Sequence, residues 1–162
     1  MLVAFTDRLA EALAAANFTA DERTYATREQ CGTFALVLYD LLSEQGQLPA
    51  IVAFGHDPAW EHSWSFAWPA PVEYKLPGLI RRSHLNHIAI RLDGHFFDIN
   101  GDHEARSLAT TYEANGMVEL ERAVLRRKVG SSSRQPLYFD AAFYLDAKRR
   151  LTERLATPDI RL

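Results

Sequence analysis

The sequence predicts an α+β fold in a single domain, on three observations. Residues 31–45 show an apolar helical pattern that ends at a glycine, Gly46. Residues 84–101 form two strand-like runs on either side of Asp93-Gly94, the pair preferred in a two-residue type I′ turn. Residues 140–155 repeat apolar side chains at helical spacing. The length of 162 residues suits one domain with a sizeable core.

The N-terminal part is predicted to begin with a helix and a loop. Thr6 is a plausible N-cap for a helix that runs to about Asn17. Residues 18–27 are predicted to be a loop. The helix that follows begins near residue 30, and its start determines how the chemistry of the chain is interpreted.

Cys31 is the only cysteine in the sequence. Thr27 and Gln30 have the spacing of a capping box, which places Cys31 in the first turn of a helix. Unpaired N–H groups and the positive end of the helix dipole favour a thiolate there, and the thiolate is the nucleophilic form. The alternative is an inert cysteine in the core, because apolar residues follow it at helical intervals: Ala35, Leu38 and Leu42.

The middle of the chain combines a buried strand with a long insertion. Residues 50–54 follow Pro49 as a short apolar run that predicts a buried strand. Residues 60–83 hold all three tryptophans and three prolines. Because long loops often border binding sites, Trp60, Trp64 and His84 are candidate substrate contacts. Alternatively, these aromatic residues only cover the core.

The hairpin after the insertion has a predicted register. With Asp93-Gly94 as the turn, Leu92 lies opposite His95 and Ile90 lies opposite Phe97. The second strand is expected to continue to residue 101. Because side chains alternate between the two faces, every position on the hairpin is then assigned to one face or the other.

The predicted register places His87 and Asp98 on the same face as diagonal neighbours within side-chain reach. The carboxylate of Asp98 can then accept a proton from one imidazole nitrogen, which leaves the other nitrogen free to act as a base. Asn100, directly across from His87, is the alternative orienting group.

Four segments are predicted after the hairpin. Residues 104–116 are expected to form a short helix, residues 117–129 a helix or a strand, and residues 130–133 a connector. The final helix covers about residues 140–155.

Two patterns in the sequence resemble the transglutaminase-like superfamily, whose members have papain-like folds. One resembles its nucleophile helix and following strand and reads Cys31-x-x-Phe34-Ala35-x-x-Leu38-x-x-x-Leu42-x-x-x-Gly46, then Pro49-Ala50-Ile51-Val52. The other resembles its histidine and acid strands and reads His87-x-x-Ile90-x-Leu92-Asp93-Gly94-x-Phe96-Phe97-Asp98. The resemblance covers about residues 27–101, and a helical extension at about residues 139–156 follows.

The resemblance implies a papain-like core in which the cysteine helix packs on an antiparallel sheet. It implies a thiolate nucleophile at Cys31, a general acid and base at His87 and an orienting carboxylate at Asp98. Gln30 or one of the tryptophans is a candidate second donor to an oxyanion, beside the N–H of Cys31.

The expected reaction is thiol-dependent acyl transfer or hydrolysis without a cofactor. The expected substrate is a protein, a peptide or a small amide or thioester. The expected enzyme is a protease, an amidase, a deamidase or a transglutaminase. Two alternatives remain: a non-catalytic interaction protein on the same fold, and an acyltransferase that resembles the arylamine N-acetyltransferases.

Composition argues against several other classes. A formal charge of −3 without a basic stripe predicts no nucleic-acid partner, and no apolar run approaches the ~20 residues that span a bilayer. One cysteine excludes an internal disulfide, and no secretory signal is evident, so a soluble cytoplasmic protein is expected. The cluster His84, His87, His95, Asp98 and His103 lacks the spacing of a metal site, and His103 is expected to be an exposed loop residue.

Overall fold

The computed structural model describes residues 3–55, 85–131 and 139–156. These residues form an α+β structure with a five-stranded antiparallel sheet and flanking helices. The helices are α1 (Phe5–Ala15), α2 (Ala20–Arg28), α3 (Cys31–Glu44), α4 (Ala105–Thr111), α5 (Arg122–Ser131) and α6 (Ala141–Ala156). The strands are β1 (Ala50–Gly55), β2 (Leu85–Leu92), β3 (His95–Asp98), β4 (Gly101–His103) and β5 (Gly116–Leu120). Their order in the sheet is β4-β3-β2-β1-β5.

The hairpin between β2 and β3 has the predicted register. Leu92 lies opposite His95 and Ile90 lies opposite Phe97. The turn between them has positive φ at both central residues, 49° at Asp93 and 80° at Gly94. Positive φ at both positions is the requirement of a type I′ turn, which explains why this dipeptide fixed the register.

β3 is shorter than predicted and ends at Asp98. A second tight turn follows, since Asp98 pairs with Gly101 across the start of β4. Gly101 has a φ of 112°, a conformation that favours glycine. The expected strand through residue 101 is therefore wrong after Asp98, and the new turn places Asp98 at the end of its strand.

The prediction of a loop at residues 18–27 is wrong, because α2 covers most of this segment. The capping box lies at Thr19 and Glu22, where each side chain bonds the backbone N–H of the other residue. Thr27 lies inside α2, and its hydroxyl bonds the carbonyl of Arg23. Gln30 is the N-cap of α3 but makes no side-chain capping bond. The capping box predicted at Thr27 and Gln30 is therefore wrong, although α3 does begin at Cys31.

The C-terminal elements agree with the sequence in part. α6 covers the predicted residues 140–155 almost completely. Residues 117–129 contain the end of a strand, β5, and most of a helix, α5, rather than one element of either kind. α4 ends at Thr111, five residues before the predicted end at residue 116.

α3 is the central helix of the packing. Its residues 31–38 are all buried, and it contacts β2, α5 and α6. Gly32 allows the close approach of α5, because a Cβ atom on Gly32 would lie 2.8 Å from Cγ1 of Val129 and 3.6 Å from Cδ1 of Ile88. The start of α3 is thus held against both β2 and α5.

A partly buried ion pair ties the far end of α3 to the C-terminal elements. Asp40 accepts hydrogen bonds from Nε and Nη2 of Arg122, at 2.5 and 2.8 Å. The hydroxyl of Tyr144 on α6 also donates to Asp40. This bidentate arrangement is the strong form of an arginine–carboxylate pair.

None of the helices within the described residues has both the length and the apolar character needed to cross a membrane.

We expect Gly32→Ala to lower the free energy of unfolding by about 1–2 kcal/mol. The loss from overpacking against the stiff side chain of Val129, about 1–3 kcal/mol, exceeds the gain in helix propensity of up to ~1 kcal/mol. Urea denaturation measures the change. A double-mutant cycle with Val129→Ala isolates the contact, and purely additive effects would contradict the packing described here.

Candidate functional site

The start of α3 brings Cys31 to the sheet beside His87. Cys31 is the first residue of the helix and only 3% exposed. The next residue, Gly32, lies against Ile88, which follows His87 on β2. The helix α3 packs on β2, and Cys31 lies near enough to His87 to act on the pKa of its imidazole.

His87 is held by Asp98 at the end of β3. Nε2 of His87 lies 2.9 Å from Oδ2 of Asp98, and the two side chains are 1% and 4% exposed. Nδ1 of His87 is buried and has no hydrogen-bond partner among the described residues. Since Nε2 is occupied by Asp98, Nδ1 is the nitrogen available to Cys31.

The electrostatics of the site favour a charged imidazole. Burial alone would lower the pKa of His87, but Asp98 and Cys31 outweigh it and raise this pKa from 6.5 to about 9. The contact between Nδ1 and the sulfur lacks hydrogen-bond geometry. Asp98 makes the largest contribution to the raised pKa, and Cys31 adds to it without a hydrogen bond of ordinary geometry.

Asp98 remains ionised despite its burial. Burial by itself raises the pKa of this carboxyl group, but hydrogen bonds from His103 and His87 hold the pKa well below its usual range. Oδ1 accepts from Nε2 of His103 and from the backbone N–H of Asn100, each at 2.8 Å. Asp98 is thus a buried anion shared by two imidazole rings.

His103 was expected to be an exposed loop residue, and that expectation is wrong. It lies on β4, pairs with Phe96 on β3, and its side chain is 25% exposed. The second turn, after Asp98, brings it back beside the carboxylate. The Asn100-Gly101 dipeptide carries turn chemistry and is the one sequence signal that could have indicated this return.

Tyr112 also belongs to the site, although no sequence pattern singled it out. Its ring stacks on the ring of His87, with the centroids 3.7 Å apart and the planes 5° from parallel. Nδ2 of Asn86 donates to the carbonyl oxygen of Tyr112 at 2.9 Å and fixes the segment after α4. Burial raises the pKa of Tyr112 to about 12, and the electrostatic effects of nearby Asp98 and Cys31 act in the same direction.

Gln30 is completely buried next to Cys31. Its Oε1 accepts from Oγ1 of Thr33 at 2.6 Å and from the backbone N–H of Asp140 at 3.3 Å. Because the N–H of Asp140 can only donate, these contacts fix which end of the amide carries oxygen. Nε2 of Gln30 has no hydrogen-bond partner among the described residues, so the amide keeps a free donor.

Asn100 takes a different position from the one predicted. Its side chain is exposed, and Oδ1 lies 3.4 Å from Nη1 of Arg23. The orienting contact on His87 comes from Asp98, and Asn100 contributes only its backbone N–H to Asp98.

The remaining candidates lie elsewhere. His95 pairs at 2.7 Å with Asp102 in an exposed contact, apart from the buried pair of His87 and Asp98. Trp60, Trp64 and His84 lie outside the described residues. Within residues 3–55, 85–131 and 139–156, no group of three or more His, Cys, Asp or Glu could hold a metal ion.

We expect the free energy of unfolding to fall by about 1–3 kcal/mol as the pH rises from 6.5 to about 9. The folded-state pKa of His87 lies above its unfolded value, so its stabilising contribution is complete below pH 6.5 and is lost as the pH passes through about 9. Urea denaturation across this range measures the slope.

His87→Gln should flatten this slope, whereas His95→Gln, at the exposed pair, should leave it intact. A wild-type stability that is constant over the range, or a slope that persists in His87→Gln, would contradict the charge assignment.

Comparison of the chain with protein-family models, with curated proteins and with solved structures found no match. An assignment of function therefore depends on the chemistry of Cys31, His87 and Asp98.

Proposed function

We propose that the protein is a thiol-dependent acyl-transfer enzyme or hydrolase on a papain-like core, with Cys31, His87 and Asp98 as its catalytic residues. One observation carries the proposal. A buried imidazole binds a carboxylate through one nitrogen, while its other nitrogen is unpaired and under the electrostatic influence of the only cysteine. A nucleophile, a base and a group that orients the base are the three parts of such a catalytic set.

Acylation follows from these positions. The thiolate sulfur of Cys31 attacks the carbonyl carbon, a C–S bond forms, and the carbonyl π electrons move to oxygen. When the C–O double bond re-forms, the bond to the leaving amine or thiol breaks, and Nδ1–H of His87 gives that group its proton. The product is a thioester on Cys31.

Deacylation reverses the proton transfer. Neutral His87 takes a proton from water or from an acceptor amine as that molecule attacks the thioester carbon. The C–S bond breaks and the thiolate returns beside the protonated imidazole. Water as the acceptor gives hydrolysis, and an amine gives acyl transfer.

Two N–H donors support the oxyanion in this proposal. The backbone N–H of Cys31 lies at the N-terminal end of α3, where helix N–H groups lack intrahelical partners. Gln30 precedes it with a buried, unpaired Nε2. A donor that is desolvated before the reaction stabilises developing charge without reorganisation.

Substrates in this proposal are amides or thioesters carried by a protein, a peptide or a small molecule.

A non-catalytic interaction protein is the second candidate, favoured by the burial of Cys31. A nucleophile that is 3% exposed offers little surface to a substrate. The two candidates differ in the expected reactivity of the sulfur.

We expect iodoacetamide to alkylate Cys31 of the native protein at about pH 6 at least ~10-fold faster than free cysteine. An ordinary thiol with a pKa of ~8.5 is almost wholly protonated at this pH, whereas a thiolate paired with an imidazolium reacts. His87→Ala should slow the reaction by roughly 10-fold or more, since it removes the positive charge. Intact-mass spectrometry follows the modification.

The matched control is His95→Ala, which removes an imidazole from the same hairpin at the exposed pair with Asp102. In this variant, iodoacetamide should alkylate Cys31 at the wild-type rate. Cys31→Ser reports labelling at other residues. A sulfur that reacts no faster than free cysteine and does not respond to His87→Ala would exclude the enzyme and favour the interaction protein.

Tyr112→Leu should slow alkylation at about pH 6 by roughly 2–10-fold, while Tyr112→Phe stays close to wild type. An aromatic pair is worth about 0.5–1.5 kcal/mol, and leucine cannot hold the plane of the His87 ring by stacking. Phenylalanine keeps the ring and loses only the hydroxyl. Equal rates in the two variants would show that the stack does not position His87.

A further inference from the structure

Asp98 contacts two imidazole rings, and the proposed catalytic residues include only one of them, His87. The contact with His103 has no role in that proposal. Oδ2 holds His87 at 2.9 Å, and Oδ1 holds His103 at 2.8 Å. The backbone N–H of Asn100 also donates to Oδ1, at 2.8 Å. The carboxylate therefore has donors on both oxygens, and its rotation is blocked from the side opposite His87.

His103 lies closer to solvent than Asp98 and His87 do. Asp98 is 4% exposed, whereas His103 is 25% exposed. His103 lines an open groove beside the hairpin with four other residues that carry ionisable or charged side chains: Arg91, His95, Asp102 and Glu104. Within the groove, His95 pairs with Asp102, and Arg91 pairs with Glu119 outside it.

We propose that His103 is a positioning residue that fixes the Asp98 carboxylate against His87, so that the site is a four-membered chain of Cys31, His87, Asp98 and His103 reaching from the core to the surface. This inference rests on the proposed function of Cys31 and His87. The donated Nε2–H of His103 holds Asp98 in one orientation and in its ionised form. Asp98 in turn stabilises the protonated ring of His87.

The electrostatics agree with this arrangement. Against the effect of burial, the hydrogen bond from His103 is the largest contribution that lowers the pKa of Asp98, ahead of the bond from His87. Cys31 acts on the pKa of His87 and the ring of Tyr112 stacks on it, so both lie on the His87 side. The backbone N–H of Asn100 is a further donor to Oδ1 of Asp98. His103 is thus the contact on the groove side that can be removed without touching the residues proposed to react.

The test is an NMR titration of the His87 imidazole in the intact protein, with the resonance assigned by its loss in His87→Gln. The wild-type midpoint is expected near 9. In His103→Ala it should fall by roughly one pH unit, because a carboxylate that can rotate away from His87 stabilises the protonated ring less.

Two variants at the same position refine the test. His103→Gln places an amide N–H near the position of Nε2 and should restore the midpoint to within a few tenths of a unit of wild type. His103→Asn is too short to reach that position, so it should behave as alanine does without leaving an empty space. It provides the loss variant if His103→Ala does not fold.

His95→Ala is the matched control, because it removes a histidine that pairs with an aspartate on the same strand pair. It should leave the His87 midpoint unchanged. An unchanged midpoint in His103→Ala or His103→Asn, or an equal shift in His95→Ala, overturns the role of His103. Slow, His87-independent alkylation of Cys31 would instead overturn the proposed function, so the two failures are distinguishable.

Discussion

The Asp98 carboxylate is a charge buried in the sheet, and its burial is the constraint on which the site depends. Removing a carboxylate from water costs several kcal/mol unless hydrogen bonds and opposite charge offset the loss. Here two imidazole nitrogens and one backbone N–H satisfy it. Two of these partners, His103 and the N–H of Asn100, depend on the tight turn after Asp98, because that turn brings β4 back beside β3. His87 reaches Asp98 from β2, through the hairpin that joins β2 to β3. The turn therefore helps Asp98 to remain ionised, and the ionised carboxylate in turn raises the pKa of His87.

A second constraint is the distance between α3 and its neighbours. Helix packing at the start of α3 is closer than a side chain at residue 32 would allow, since a Cβ there would meet Val129 at 2.8 Å. The absence of that side chain lets α5 support the residue next to Cys31 while Ile88 supports it from the sheet. Protein interiors transmit small displacements because they are closely packed. A site that depends on the approach of a sulfur and an imidazole needs such support on both sides.

The sequence predicted the parts of the fold that local chemistry determines. Asp93-Gly94 demanded a type I′ turn, and its register placed Asp98 within reach of His87. The apolar spacing of α3 and its terminal glycine located the cysteine helix. α2 was missed because only one of its nine residues, Ala26, is buried, so it carries no apolar stripe.

Tertiary contacts determined what the sequence could not predict. His103 reaches Asp98 through a second turn that shortens β3, and its residue type gives no indication of that contact. Tyr112 stacks on His87 because the segment after α4 passes over β2, where Asn86 binds its carbonyl group. Neither residue has a periodic relation to the elements that it joins. Sequence spacing therefore predicted that Asp98 lies beside His87 and that Cys31 begins a helix, while the contacts of His103 and Tyr112 required coordinates.

The polar atoms left unpaired around Cys31 bear on whether its role is chemical. A cysteine used only for packing needs apolar neighbours, and a buried polar atom without a partner costs roughly 1–3 kcal/mol. Within the described residues, the two unpaired buried side-chain atoms are Nδ1 of His87 and Nε2 of Gln30. One belongs to the ring whose pKa responds to Cys31, and the other to the residue that precedes Cys31 in the chain. Native proteins tolerate such costs mainly at functional sites, because a group that must bind a reacting atom cannot already be satisfied. The proposed acyl-transfer reaction uses both atoms, Nδ1 of His87 as the base and Nε2 of Gln30 as a donor to the oxyanion.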